Sequence, residues 1–138
     1  MNALEAAITF LSSISPGVVV SGEVDFSTGD SDVLCFVSLA GDASTPSLIG
    51  TESIIRYSLK FYGPNDDALL DAHKVVRDGT FVIPGIPVSN VEVRSPLRID
   101  LSTKVLKWAQ VLAAFGPLTE PDTDRRVLIS SAVIKWAN

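Results

Sequence analysis

Residues 55–61 read Ile-Arg-Tyr-Ser-Leu-Lys-Phe. Ile55, Tyr57, Leu59 and Phe61 alternate with Arg56, Ser58 and Lys60. A strict period of two marks a strand with one face on a core and the other turned away from it. Such a strand needs a sheet around it and a cover for its apolar side. Arg56, Ser58 and Lys60 fall on the side the core does not use, so they are candidate contacts for solvent or for a neighbouring subunit.

The cover is visible on either side. Asn2 is placed to cap a helix, with Glu5 three positions on completing a capping box. Leu4, Ala7, Ile8, Leu11 and Ile14 then follow helical spacing until Ser15-Pro16-Gly17. A second helix begins after Gly63-Pro64-Asn65. Asp66 and Asp67 complement its N-terminal dipole, Leu69, Ala72, Val75 and Val76 line one face, and Lys74, Arg77 and Asp78-Gly79 close it.

Further strands are expected at 18–24, at 33–40 around Phe36, at 91–94 near a sheet edge marked by Pro84, Pro87 and Pro96, and at 125–136. Residues 25–32 form an acidic loop, and 41–50, rich in Gly, Ser, Thr and Pro, a long connection or arm. Residues 101–115 fit two templates. Ser102 can cap a helix carrying Val105, Trp108 and Leu112, yet 105–111 also passes as a strand. Lys, Leu, Ala and Gln tilt the first turns toward helix, and Gly116-Pro117 ends the segment in either case. The order predicts one α+β domain over residues 1–138: a mixed or antiparallel sheet with helices packed on one face.

Composition narrows the function classes. Hydrophobic residues make up 46% of 138, which points to a generous core or to shared surfaces. Apolar runs such as Val18–Val20 and Val111–Ala114 fall far short of the roughly 20 residues of a membrane span. The N-terminus lacks the pattern of a secretory signal, so the protein is expected to remain where it is made. A net charge of −5 repels a phosphate backbone. Cys35 is the single cysteine, expected to be a buried, inert thiol, and it excludes an internal disulfide or a cysteine-based metal cage.

Candidate chemistry is sparse. His73, the one histidine, lies on the rim of the second helix's apolar stripe near Asp66 and Asp71, as a solvated or packing residue. No G-x-S-x-G elbow supports a catalytic triad, and no glycine-rich loop supports nucleotide binding. Asp25, Asp30 and Asp32 surround Gly29 without the order of a calcium loop. Asp122 and Asp124 precede Arg125 and Arg126, where opposite charges neutralise one another at a turn. No catalytic, cofactor or metal residue is assigned. Trp108 and Trp136 are large apolar surfaces with one donor each, and Trp136 is a candidate interface anchor.

The block Arg56-Tyr57-Ser58-Leu59-Lys60-Phe61-Tyr62-Gly63-Pro64-Asn65, running into a helix that ends at Val76-Arg77-Asp78-Gly79, resembles the tail-terminator or neck-terminator proteins of tailed bacteriophages. The order of elements is also similar, down to a final strand with Arg125-Arg126-Val127-Leu128-Ile129. The likeness is loose over most of the chain and specific over about 25 residues; it does not extend through 100–124. The resemblance implies a virion protein, made in the host cytoplasm, that forms a ring, commonly a hexamer. Such a ring caps the tail tube, stops its elongation and joins the tail to the head connector. Its partners would be itself, the tail tube protein, the connector proteins and passing genomic DNA without sequence-specific binding; membrane and cofactors are not implied. Another neck or tail structural protein, such as a head-completion or minor tail protein, fits the same composition. A small-molecule binding module using His73 or an Asp cluster is the reading from a different class.

Overall fold

In a computed structural model, described over residues 2–24, 32–42, 52–80, 100–101 and 104–137, two helices and seven strands form one α+β unit. The elements are α1 (Ala3–Ile14), β1 (Val18–Ser21), β2 (Val33–Asp42), β3 (Glu52–Tyr62), α2 (Asp66–Gly79), β4 (Asp100–Leu101), β5 (Lys104–Val111), β6 (Phe115–Thr119) and β7 (Arg126–Ala137). The sheet is mixed and curls into a half-barrel, in the order β1-β2-β3-β7-β5-β4. β1 runs parallel to β2 and the remaining pairs are antiparallel. β5 and β6 share one edge of β7, pairing with its second and first halves respectively.

Both helices start where the sequence places them. The Asn2 side chain accepts from the Glu5 amide at 2.8 Å, and the Glu5 carboxylate accepts from the Asn2 amide at 3.2 Å. Asn65 caps α2 through Ala68 N at 2.8 Å. α1 buries Ala6, Ala7, Phe10 and Leu11, and α2 buries Leu69, Ala72, His73 and Val76. Val75, expected on the buried stripe, is instead 37% exposed: it lies about 100° around the helix from Val76 and reaches the rim. The helices meet at their C-termini, where a Cβ on Gly79 would stand 2.8 Å from the Ile14 carbonyl, a separation that glycine alone permits.

The strand at 55–61 is central. Tyr57, Leu59 and Phe61 are fully buried beside Phe10, Leu69, Val76, Leu128 and Ile134 in one core. β2 brings Val33, Cys35 and Val37 to it, and β7 brings Leu128, Ala132, Ile134 and Trp136. At the centre, Tyr57 Oη donates to the Ala3 carbonyl at 2.8 Å and accepts from Trp136 Nε1 at 2.9 Å. Burial pushes this hydroxyl up to about 12, against the lowering effect of the Trp136 bond.

The described part of the segment 101–115 holds no helix: Lys104–Val111 is strand. β5 buries Leu106, Ala109 and Val111. Its pairing with β7 shifts register between Leu106 and Trp108, so two inward residues lie three apart and imitate helical spacing. Gly116-Pro117 does not end the segment either. Both residues lie inside β6, where Gly116 has φ 109° and pairing with β7 is interrupted between Phe115 and Leu118. The strand at 18–24 is shorter than expected, ending at Ser21, and β2 continues through Gly41 and Asp42, beyond the predicted start of the long connection. The expected strand at 91–94 with its flanking Pro84, Pro87 and Pro96, residues 43–50 of the connection and 25–31 of the acidic loop lie outside the described residues. No described helix is long and apolar enough to cross a membrane.

Replacing Tyr57 by Phe leaves the Ala3 carbonyl and the Trp136 indole N–H without this partner inside the core. We expect a loss of about 1–3 kcal/mol, read as a lower urea midpoint at unchanged slope. A midpoint equal to the wild type would show that the Tyr57 hydroxyl bonds contribute nothing.

Candidate functional site

Strand parity sorts the sheet into two faces. One carries the core and both helices. The other carries no described helix and is built from rows of residues that pair across strands. Leu34, Tyr62, Val127 and Leu118 form the first row, and Phe36, Lys60, Ile129 and Phe115 the second. Ser38, Ser58 and Ser131 form the third, and Arg56, Val133 and Gln110 the fourth. Leu34, Tyr62 and Val127 are buried in a small apolar cluster of their own, with Phe36, Leu118 and Ile129 packed around it. Phe115, beside them, is 69% exposed.

Arg56, Ser58 and Lys60 therefore project on this face. Arg56 is exposed, and Ser58 and Lys60 are half-buried. Trp136 is not with them. Its strand parity is that of Ile134 and Ala132, so it lies fully buried in the main core with its N–H on Tyr57. A large apolar residue with one donor is a candidate anchor, but the twelve-residue β7 keeps its alternation through Trp136, which has no surface to offer a neighbour.

The polar centre of the helix-free face is a residue that local pattern did not single out. Glu120 follows β6 and turns back over β3. Its carboxylate accepts from Tyr62 Oη at 2.9 and 3.1 Å, from Lys60 Nζ at 3.3 Å and from Thr123 Oγ1 at 2.9 Å. Burial pulls the Glu120 carboxyl upward, but the hydrogen bonds from Thr123, Tyr62 and Lys60 and the Lys60 charge outweigh it and hold the group below the usual carboxylate range. The same arrangement, burial first and then the Glu120 bond and charge, pushes the Tyr62 hydroxyl well above its ordinary value. Tyr62 thus remains a donor and Glu120 an acceptor at neutral pH.

The turn's charges are not arranged as expected. Arg126 reaches across to the start of α2 and grips Asp66 with two bonds, Nε to Oδ1 at 2.9 Å and Nη2 to Oδ2 at 2.7 Å. It also donates to Thr119 Oγ1 and to the Pro117 carbonyl, each at 3.3 Å. The Arg126 hydrogen bond, opposed by burial and helped by its charge, holds the Asp66 carboxyl below its usual range. Asp122 and Asp124 are exposed, so the neutralisation assigned to Arg126 at the turn belongs instead to Asp66. Among the described residues, no group of three or more His, Cys, Asp or Glu side chains is arranged to hold a metal ion.

His73 is a packing residue rather than a solvated one. It is buried, its ring meets Phe61 edge-on at 5.8 Å, and Nε2 lies 2.9 Å from the Leu112 carbonyl and 3.2 Å from Ser130 Oγ. Ser130 Oγ also donates to that carbonyl at 2.9 Å. Two donors on one carbonyl, with Nε2 protonated, satisfies all three atoms. Ser130 went unnoticed in sequence, although a serine at an inward position between Leu128 and Ala132 is itself a sign of a buried polar partner. Asp66, near His73 in sequence, is committed to Arg126. Cys35 is buried, and burial pushes its thiol up to about 12, where it is inert. Trp108 stands in β5.

Comparison with models of known protein families finds no match, and comparison with curated proteins finds none.

The shared carbonyl gives an ordered expectation. Ser130→Ala leaves the His73 donor in place and costs about 1 kcal/mol, whereas His73→Leu also removes the edge-on ring contact and costs about 1–3 kcal/mol. Urea unfolding of both variants checks this. A serine variant less stable than the histidine variant would contradict the donor assignment.

Proposed function

We propose that the chain is a structural protein of a tailed-bacteriophage virion, a terminator subunit that assembles into a ring on the head-proximal end of the tail tube. In that role it stops tube elongation and joins the tail to the head connector. The observation that carries the proposal is the helix-free face. Arg56, Ser58 and Lys60 lie there in successive rows, beside the half-buried Phe36 and Ile129 and the exposed Phe115. Apolar rows bordered by polar and charged ones on one face are the make-up of a protein–protein interface.

The resemblance of the 56–79 block supports the same reading: the residues that carry it form β3, its turn and α2. Ring closure requires heterologous contacts, one patch of each subunit against a different patch of the next. A net charge of −5 suits a lumen through which DNA passes without sticking. A head-completion or minor tail protein would use such a face equally and differs in its partner.

Light scattering across protein concentrations, with electron microscopy of added tail tubes, tests the proposal. Rings or binding at tube ends are expected. Ser58→Arg, a bulky charge in the middle of the face, is expected to weaken association by about tenfold or more while far-ultraviolet circular dichroism stays unchanged. Protein that remains monomeric at all concentrations and ignores tube ends would sink the terminator role and favour the small-molecule binding module. Rings that bind connectors but not tubes would move the role to head completion.

A further inference from the structure

The apolar row Leu34–Tyr62–Val127–Leu118 lies on a face without a described helix, yet Val127 is fully buried and Leu34 and Tyr62 nearly so. The turn at 120–125 folds back beside this row. It is tied within itself, Glu120 N donating to the Arg125 carbonyl at 2.8 Å and Asp124 N to the Glu120 carbonyl at 2.9 Å. Asp124 takes a left-handed φ of 54°. The turn's side-chain grip on β3 runs through the Glu120 carboxylate, on which Tyr62 and Lys60 converge.

We infer that the 120–125 turn is an acid-released latch: the Glu120 carboxylate holds it shut against β3, and neutralising that carboxylate frees the turn from Tyr62 and Lys60. Three donors, one of them the Lys60 ammonium, face this carboxylate, so a proton on it removes acceptor capacity and leaves the Lys60 charge uncompensated. The charged and titratable groups around it are Lys60 and Tyr62 from β3, Asp122, Asp124 and Arg125 from the turn, and Arg126 from β7, which Asp66 engages. Because the folded carboxyl sits below its ordinary range, the latch is fully shut above that range. It opens as pH falls through the lower, folded value.

Hydrogen exchange of the amides at 120–125, corrected for intrinsic rates and followed from neutral to acid pH, reads the opening directly. Tryptic cleavage after Arg125 reads it at neutral pH. Glu120→Gln is expected to exchange and to be cut about ten- to a hundredfold faster than the wild type, with unchanged circular dichroism and no further opening in acid. Tyr62→Phe, which keeps the carboxylate and loses one donor, is expected to open partially and to retain the acid step; it carries the test if the glutamine variant does not fold. A glutamine variant as protected as the wild type, or one that still opens in acid, would overturn the latch, as would a Tyr62→Phe protein with wild-type protection.

Discussion

A single hydroxyl joins parts of the chain that sequence holds far apart. Tyr57 Oη links the Ala3 carbonyl, at the start of α1, to the indole of Trp136, at the end of β7, from the middle of β3. β3 and β7 are the two longest-paired strands, in register from Glu52↔Ala137 to Tyr62↔Val127. The first helix, the central strand and the closing strand therefore converge on one oxygen in an apolar interior. An unmade bond there is costly because no water replaces the partner. The node ties the start of α1 to the sheet, and the burial of Ala6, Ala7, Phe10 and Leu11 on the same side divides the sheet into a covered and an uncovered face.

That division explains which features were legible. Period-two alternation fixed both β3 and the side on which Arg56, Ser58 and Lys60 lie, because parity is a local property. Capping chemistry did the same for both helices, since Asn2 and Asn65 each act within three residues. Errors came where a local pattern was distorted or a contact was distant. The helical reading of 101–115 rests on the spacing of Val105, Trp108 and Leu112 and on helix-favouring Lys, Leu, Ala and Gln. The register shift in β5 lets a strand carry the same three-residue spacing. Trp136, a large apolar residue with one donor, resembles an anchor unless its parity with Ile134 is counted. Arg126 stands beside acids in sequence, while its partner Asp66 lies sixty positions away and meets it with bidentate geometry.

Glu120 belongs to the same class. Its partners on β3 are 58 and 60 positions distant, and nothing in Thr-Glu-Pro-Asp distinguishes a carboxylate with three donors from one in water. One hint does exist in retrospect. Tyr62 ends the alternating strand on the face assigned to solvent, and a large aromatic residue on a polar face needs a cover and a partner for its hydroxyl. Ser130 carries the converse hint, a polar residue in an inward row.

The two faces are held by unequal means. On the covered face, Phe10, Leu69, Val76, Leu106 and Trp136 interlock with three strands around Tyr57, so no single element can leave without opening the whole core. On the other face, Leu34, Tyr62 and Val127 form a cluster of their own, backed by the sheet on one side and gripped through Glu120 on the other. Loss of that grip removes few apolar contacts from the main core, so the turn can open with the sheet intact, as a local rather than a global transition.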